Sequence, residues 1–133
     1  MAQKRMKTWK TVLIVAAVVL AAGFIGMFAF MSSVISRNDS LPRGEVDLTQ
    51  VEDGFYDGSA GNGLVSVDVN VTVADHKLTA IEITRHFEGQ GEGAEVIVDD
   101  MIEQNSTDVD SISGATMSSE VIKSAVYDAL TNP

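Results

Sequence analysis

Val65-Ser66-Val67-Asp68-Val69-Asn70-Val71-Thr72-Val73 alternates β-branched apolar and polar residues without a break. Successive side chains on a strand point to opposite faces, so this period of two predicts a strand with one buried and one wet face. Ala74-Asp75-His76-Lys77 follows as a turn. Residues 78–85 then predict a third strand, with Ile81 and Ile83 on one side. Two such runs joined by a short polar turn pair as an antiparallel hairpin. Upstream, Phe55 and Tyr56, set between Gly54 and Asp57-Gly58, predict a short first strand.

Downstream the period changes. Ala94, Ile97, Val98, Met101 and Ile102 recur at helical spacing opposite Glu95, Asp99, Asp100 and Glu103, which predicts an amphipathic helix over 93–104. Asn105 to Thr107 should end it, and residues 109–112 read as a short strand. A last helix over 117–130 puts Val121, Ile122, Ala125, Val126, Ala129 and Leu130 on one stripe. The expectation is an α+β domain, a small twisted antiparallel sheet with two helices packed on one side.

Before this domain, residues 11–31 form an uncharged, mostly apolar run long enough for one transmembrane helix. Lys4, Arg5, Lys7 and Lys10 precede it, which predicts a cytoplasmic tail over 1–10 and an extracytoplasmic C-terminal domain in a single-pass protein of the cell membrane. The run exceeds the apolar core of a signal peptide, and Ala29-Phe30-Met31 is a poor cleavage site, so an uncleaved anchor is favoured. Residues 32–52 are polar and interrupted by Pro42 and Gly44, and read as a linker to a domain over 53–133.

Composition removes several function classes. No cysteine is present, so disulfides, thiolate metal sites and thiol catalysis are excluded. Two histidines, His76 and His86, do not make a multi-histidine metal centre. From Asn38 onward nineteen acidic residues face four basic ones, a formal charge of −15, which disfavours nucleic acid. No hydrolytic carboxylate pair or Ser-His-Asp set is recognisable, so no catalytic residue is assigned.

The chemistry lies in Asp110-Ser111-Ile112-Ser113-Gly114-Ala115-Thr116-Met117-Ser118-Ser119. Small residues bring a threonine hydroxyl to the start of the last helix, where free N–H groups and the positive dipole end favour a phosphate. Gly114 and Ala115 keep the approach open. Gly89-Gln90-Gly91-Glu92-Gly93, ahead of the first helix, is a second turn of the kind that cradles phosphates, though such a turn also serves simply to reverse a strand into a helix.

Asp110, Ser113, Gly114, Ala115 and Thr116, followed by an apolar residue, Ser118 and Ser119, resemble the flavinylation motif of the FMN-binding domain family. That family includes the C subunit of the sodium-pumping NADH:quinone reductase, the G subunit of the Rnf complex and small membrane-anchored domains. His86 and the glycine-rich stretch around Gly91 stand where the family has a strand-ending histidine and a glycine-rich loop. The resemblance implies a covalent FMN, attached from FAD by a flavin transferase through a phosphoester to Thr116. It implies that Asp110 and Ser113 are read by the transferase, and that Ser118 or Ser119 caps the helix or meets the phosphate. Tyr56, Phe87 and Tyr127 are candidates to stack on the flavin ring or to fill the core. His86 would face the flavin or serve as an ordinary hydrogen-bonded side chain. The expected role is an electron carrier between membrane or envelope redox partners, rather than an enzyme with its own substrate. The alternatives are a subunit of an Rnf-like complex and a module that binds FMN reversibly.

Overall fold

β2 (Ser66–Ala74) is the centre of the domain because both of its edges are paired. β1 (Gly54–Gly61) and β3 (Lys77–Phe87) flank it in an antiparallel sheet of order β1-β2-β3. Val67, Val69, Val71 and Val73 are almost fully buried, while the residues between them are half-exposed, as the alternation requires. Asp75 and His76 turn the β2–β3 hairpin with φ of 53° and 61°, the left-handed pair that a two-residue turn needs.

The protein is described here by a computed structural model, which covers residues 2–87 and 92–132. The chain divides into two compact units, one ending at Ser33 and one starting at Val34. The first consists of most of α1 (Ala2–Ser40), a helix long and apolar enough to cross a membrane, and it fits a single-pass anchor. Its apolar side chains, among them Leu20, Phe24 and Phe28, are exposed, as lipid contact would require.

The second unit buries the core. α2 (Ile97–Gln104) and α3 (Thr116–Thr131) pack beside the sheet, α2 against β3 and α3 against β1 and β2. All six apolar residues expected on the α3 stripe are buried. Gly58 explains how α3 comes so close. A Cβ built on it would lie 2.1 Å from the Ala125 carbonyl oxygen and 2.5 Å from the Ala129 nitrogen, so the helix backbone lies directly on the strand. The small side chains of Ala125 and Ala129 complete that contact, and the Ser59 N–H donates to the Asp128 carboxylate at 3.1 Å beside it.

Three expectations change. The first concerns residues 32–52, read above as a linker. α1 continues to Ser40, since no residue breaks it before Pro42, and its last turns belong to the folded unit. Val34 is buried, and the Asn38 carboxamide donates to Glu120 and accepts from Asn62 at 3.0 Å. Arg43 pairs with the same Glu120 carboxylate at 2.9 Å. Further on, Leu48 and Val51 join the core, and the Asp47 carboxylate caps the 3-10 turn Leu48–Gln50. The Thr49 hydroxyl and N–H hold the Asp47 carboxyl below its ordinary pKa, an effect present at neutral pH and lost as acid protonates it. The polar composition suggested a tether because the buried positions are few and widely spaced.

Second, residues 109–112 form no strand. The Ile112 N–H donates to the Ser119 hydroxyl at 3.0 Å instead of joining a ladder. Third, the helix expected over 93–104 opens as a 3-10 helix, Glu92–Val96, before α2 proper. Ala94 and Ile97, three apart, are buried while Val96 is 53 % exposed, a three-residue repeat that suits the tighter helix.

Removing the Asn38 side chain should therefore weaken the domain, although it lies at the end of the anchor helix. Asn38→Ala leaves Asn62 and Glu120 short of partners, at a cost of roughly 2 kcal/mol. A thermal melt of the full chain in detergent should show a midpoint about 8–16 °C lower.

Candidate functional site

The loop before α3 is built by one turn and one serine. The Ala115 N–H donates to the Ile112 carbonyl at 3.0 Å, closing a four-residue turn over 112–115. Gly114 is third in that turn with φ 81°, the sign a type II turn demands there. A Cβ at Gly114 would meet nothing within 4 Å, so backbone conformation selects the glycine, and the space above it is open. Ser119 is fully buried beneath the turn. Its hydroxyl donates to the Ala115 carbonyl at 2.7 Å and accepts from the Ile112 N–H at 3.0 Å. It thus clamps the loop from inside, and its hydroxyl proton is already committed there.

Thr116 is the first residue of α3 and is exposed. Its hydroxyl has no partner among the described residues, no side chain caps the helix, and no acid sits in its first turn. The helix dipole is therefore uncompensated beside an accessible hydroxyl. Asp110, Ser113 and Gly114 are exposed around it, Ala115 is half-buried, and Ser118 is buried. Gly91 lies in 88–91, outside the described residues. Ser119→Ala would leave the Ile112 N–H unpartnered. It should cost about 1–2 kcal/mol, read as a lower melting point, with the Thr116 hydroxyl itself intact.

His86 reaches the site through a register change. Two β-bulges interrupt the β2–β3 ladder, at Thr84 and at Thr79. Each extra threonine donates its hydroxyl to a carbonyl across the pair, Thr84 to Asp68 at 3.2 Å and Thr79 to Thr72 at 3.1 Å. After the Thr84 bulge Arg85 faces outward to Asp68, and His86 pairs with Val67 on the helix-covered face. The His86 side chain is only 5 % exposed. Its Nδ1 lies 3.0 Å from the Glu95 carboxylate, and Nε2 is buried without a partner among the described residues.

The sheet brings His86 and the Thr116 loop to the same end. Gly61, Ser66 and Phe87 are paired across that end. Asn62, next along the chain, is linked through Asn38 to Glu120 near the start of α3. The 3-10 helix carrying Glu95 packs against α3. The hairpin turn, with His76, lies at the opposite end.

The aromatic candidates are placed differently. The Tyr56 hydroxyl donates to the Glu52 carbonyl at 2.5 Å and its ring packs on the core, while Tyr127 is half-buried near Gly44. On the outer face Asp57, Asp68 and Asp128 line a shallow depression. Each is engaged, Asp57 with Asn70, Asp68 with Arg85 and Asp128 with Ser59 N–H, so each carboxylate already has its own partner.

A model of the FMN-binding domain matches residues 62–131, just over half of the chain. This protein belongs to the FMN-binding domain family. Comparison with the curated proteins gives no match. The match takes in β2, β3, both helices of the domain and the Thr116 loop. It begins after β1, which nevertheless supplies the sheet edge under α3 and the close contact at Gly58. The residues suit an FMN ligand. The open helix start offers N–H donors to a phosphate, and the orphan His86 Nε2 is a buried polar atom that a ligand group would satisfy.

Neither Glu95 nor the Ser119 clamp was assigned these contacts from sequence. A bulge leaves no mark in a strand pattern, and a serine in a serine-rich motif does not reveal which hydroxyl points inward.

Proposed function

We propose that this protein is a membrane-anchored flavoprotein that carries FMN on Thr116 through a phosphoester and relays electrons between a membrane reductase and a further acceptor. One observation carries the reading. In a chain of the FMN-binding domain family, the S-G-A-T turn presents a threonine hydroxyl with no partner among the described residues, at a helix start without a side-chain cap.

Attachment needs a flavin transferase and FAD. The Thr116 oxygen attacks the phosphorus of the FMN half, the bond to the AMP oxygen breaks, and AMP leaves as the hydroxyl proton is lost. The chain contributes an exposed nucleophile, a loop fixed by Ser119, and free N–H groups at the helix start that would hold the phosphate. Asp110 and Ser113 stand exposed on that loop, accessible to a transferase that reads them. The flavin, once bound, supplies reversible electron transfer.

Four basic residues before the apolar run support a cytoplasmic N-terminus and a domain on the outer side of the membrane. There a covalent bond has a clear advantage. Micromolar affinity corresponds to about 8 kcal/mol, and such a ligand is lost by dilution. A carrier is favoured over an enzyme because the motif places a single attachment hydroxyl on an open loop, and among the described residues no acid–base set lines an enclosed pocket beside it.

The reading is tested by coexpression with a flavin transferase. The band on a denaturing gel should fluoresce under ultraviolet light, and the native protein should bleach reversibly with dithionite. Yellow colour only in the native state would instead support reversible FMN binding. Absence of flavin in both states would overturn the proposal.

A further inference from the structure

We propose that the uncovered face of the sheet is a docking surface for a basic partner protein. Phe55 is its apolar contact, and the carboxylates around Phe55 meet lysine or arginine side chains of the partner. This face is the part of the domain that the flavin reading leaves unused, and its role does not depend on what Thr116 carries. α2 and α3 cover one side of the sheet, where the valines of β2 are buried. Among the described residues nothing covers the other side, and the strand register arranges it in rows.

One row consists of Phe55, Thr72 and Ala80. Phe55 is 78 % exposed, and the small side chains beside it across the strands leave its ring uncovered. A lone exposed apolar residue is ordinary, but this one stands on a flat face beside charged rows. Asp57, Asn70 and Glu82 form the next row, and Ser59, Asp68 and Arg85 the one after it. Asp57 and Asp68 line the shallow depression with Asp128 of α3. Asp57 accepts only from the Asn70 amide, and Asp128 from the Ser59 N–H and the Asn132 amide. Those donors are neutral, and Glu82 has no ion pair among the described residues, so these charges stay uncompensated. Arg85 is taken by Asp68 at 3.1 Å. Lys77, at the hairpin corner, follows a turn where the Asp75 N–H donates to the Asp53 carboxylate at 2.9 Å, so acids outnumber it there. Charge then decides the occupant. A second copy would set carboxylates against carboxylates, and anionic lipid or nucleic acid is repelled. A basic protein is steered in by the complementary potential, and an aromatic anchor ringed by polar groups is the usual form of an interface hot spot. Phe55, Asp57 and Ser59 belong to β1, which lies before the matched residues 62–131, so the apolar contact is not part of what the family model describes.

The experiment uses the full chain in detergent, with cytochrome c, a small basic protein, as the probe. Binding is followed by amide NMR of the labelled chain at about 0.1 M salt, where screening confines charge effects to about 10 Å. Resonances of Phe55, Asp57, Asn70, Thr72 and Glu82 should shift, and those of α2 should not. Asp57→Asn combined with Glu82→Gln should weaken binding about tenfold. Asp99→Asn combined with Glu103→Gln removes the same charge from exposed positions on α2 and should change it less than about twofold. Phe55→Ala should weaken binding about fivefold and leave its salt dependence unchanged. Melting curves should match wild type throughout, because Phe55 is exposed and Asp57→Asn keeps the oxygen that accepts from Asn70. Equal losses in the two charge-matched variants would show attraction by overall charge alone and overturn the proposal. Wild-type affinity in Phe55→Ala, or no binding of cytochrome c, would overturn it as well. The same resonances shifting as the chain dimerises in sedimentation would assign the face to a second copy. Their shifting between neutral and anionic lipid nanodiscs would assign it to the membrane surface, and either result contradicts a basic partner.

Discussion

Gly58→Val should unfold the domain or bring it close to unfolding. The substituted Cβ would have to occupy space 2.1 Å from a carbonyl oxygen and 2.5 Å from an amide nitrogen of α3. Those atoms belong to a helix backbone, which cannot swing aside as a long side chain would. Either α3 lifts off β1 and the Ala125–Ala129 contact opens, or β1 leaves the sheet. Overpacking of this kind costs roughly 3 kcal/mol or more, a large share of the about 5–15 kcal/mol that stabilises a typical domain. A melting point lowered by at least about 12 °C follows. Gly61→Ala is the control. Its Cβ would meet the Val65 carbonyl at 3.3 Å, a contact that small shifts relieve, and the loss should stay below about 1 kcal/mol. A Gly58→Val protein melting with wild type would show that α3 does not lie on β1 as described.

Thr116→Ala should abolish covalent flavin while leaving the fold unchanged. Its hydroxyl is exposed and has no hydrogen-bond partner among the described residues, and such surface substitutions usually fall within about 0.5 kcal/mol. Loss of fluorescence from the denatured band with an unchanged melting curve thus assigns the effect to chemistry. Thr116→Ser restores the nucleophile and should recover part of the label. Label retained in Thr116→Ala would move the attachment to another hydroxyl, with exposed Ser113 the nearest alternative on the loop.

The contrast between these substitutions shows what the sequence could and could not reveal. The alternation through Val73 and the stripe on α3 specify faces, because burial must follow the period of two or 3.6 residues. The α+β sheet-and-helix arrangement was therefore legible, as was a hydroxyl at a helix start in a loop of small residues. Close approach was not. Gly58 sits in a run of small and polar residues where nothing signals that a helix backbone lies above it. The end of α1 was hidden too, since Val34 and Asn38 directly follow a long apolar run, and their partners Asn62 and Glu120 are distant in sequence. The burial of His86 was not legible for a more specific reason. Counting by twos along β3 from Ile83 puts Arg85 inward and His86 outward, and one inserted threonine reverses both. Its burial, with Nε2 unpartnered among the described residues, follows from that slip.

The central claim concerns one side chain, and one peptide tests it. Trypsin cuts after Arg85 and Lys123 with no basic residue between them, so the peptide 86–123 carries His86, Glu95 and the whole Thr116 loop. Mass spectrometry of that peptide, prepared from the protein purified out of its own membrane, should find the added mass of an FMN phosphoester and fragment ions that place it on Thr116. The same peptide recovered unmodified from a host with an active flavin transferase would contradict the account.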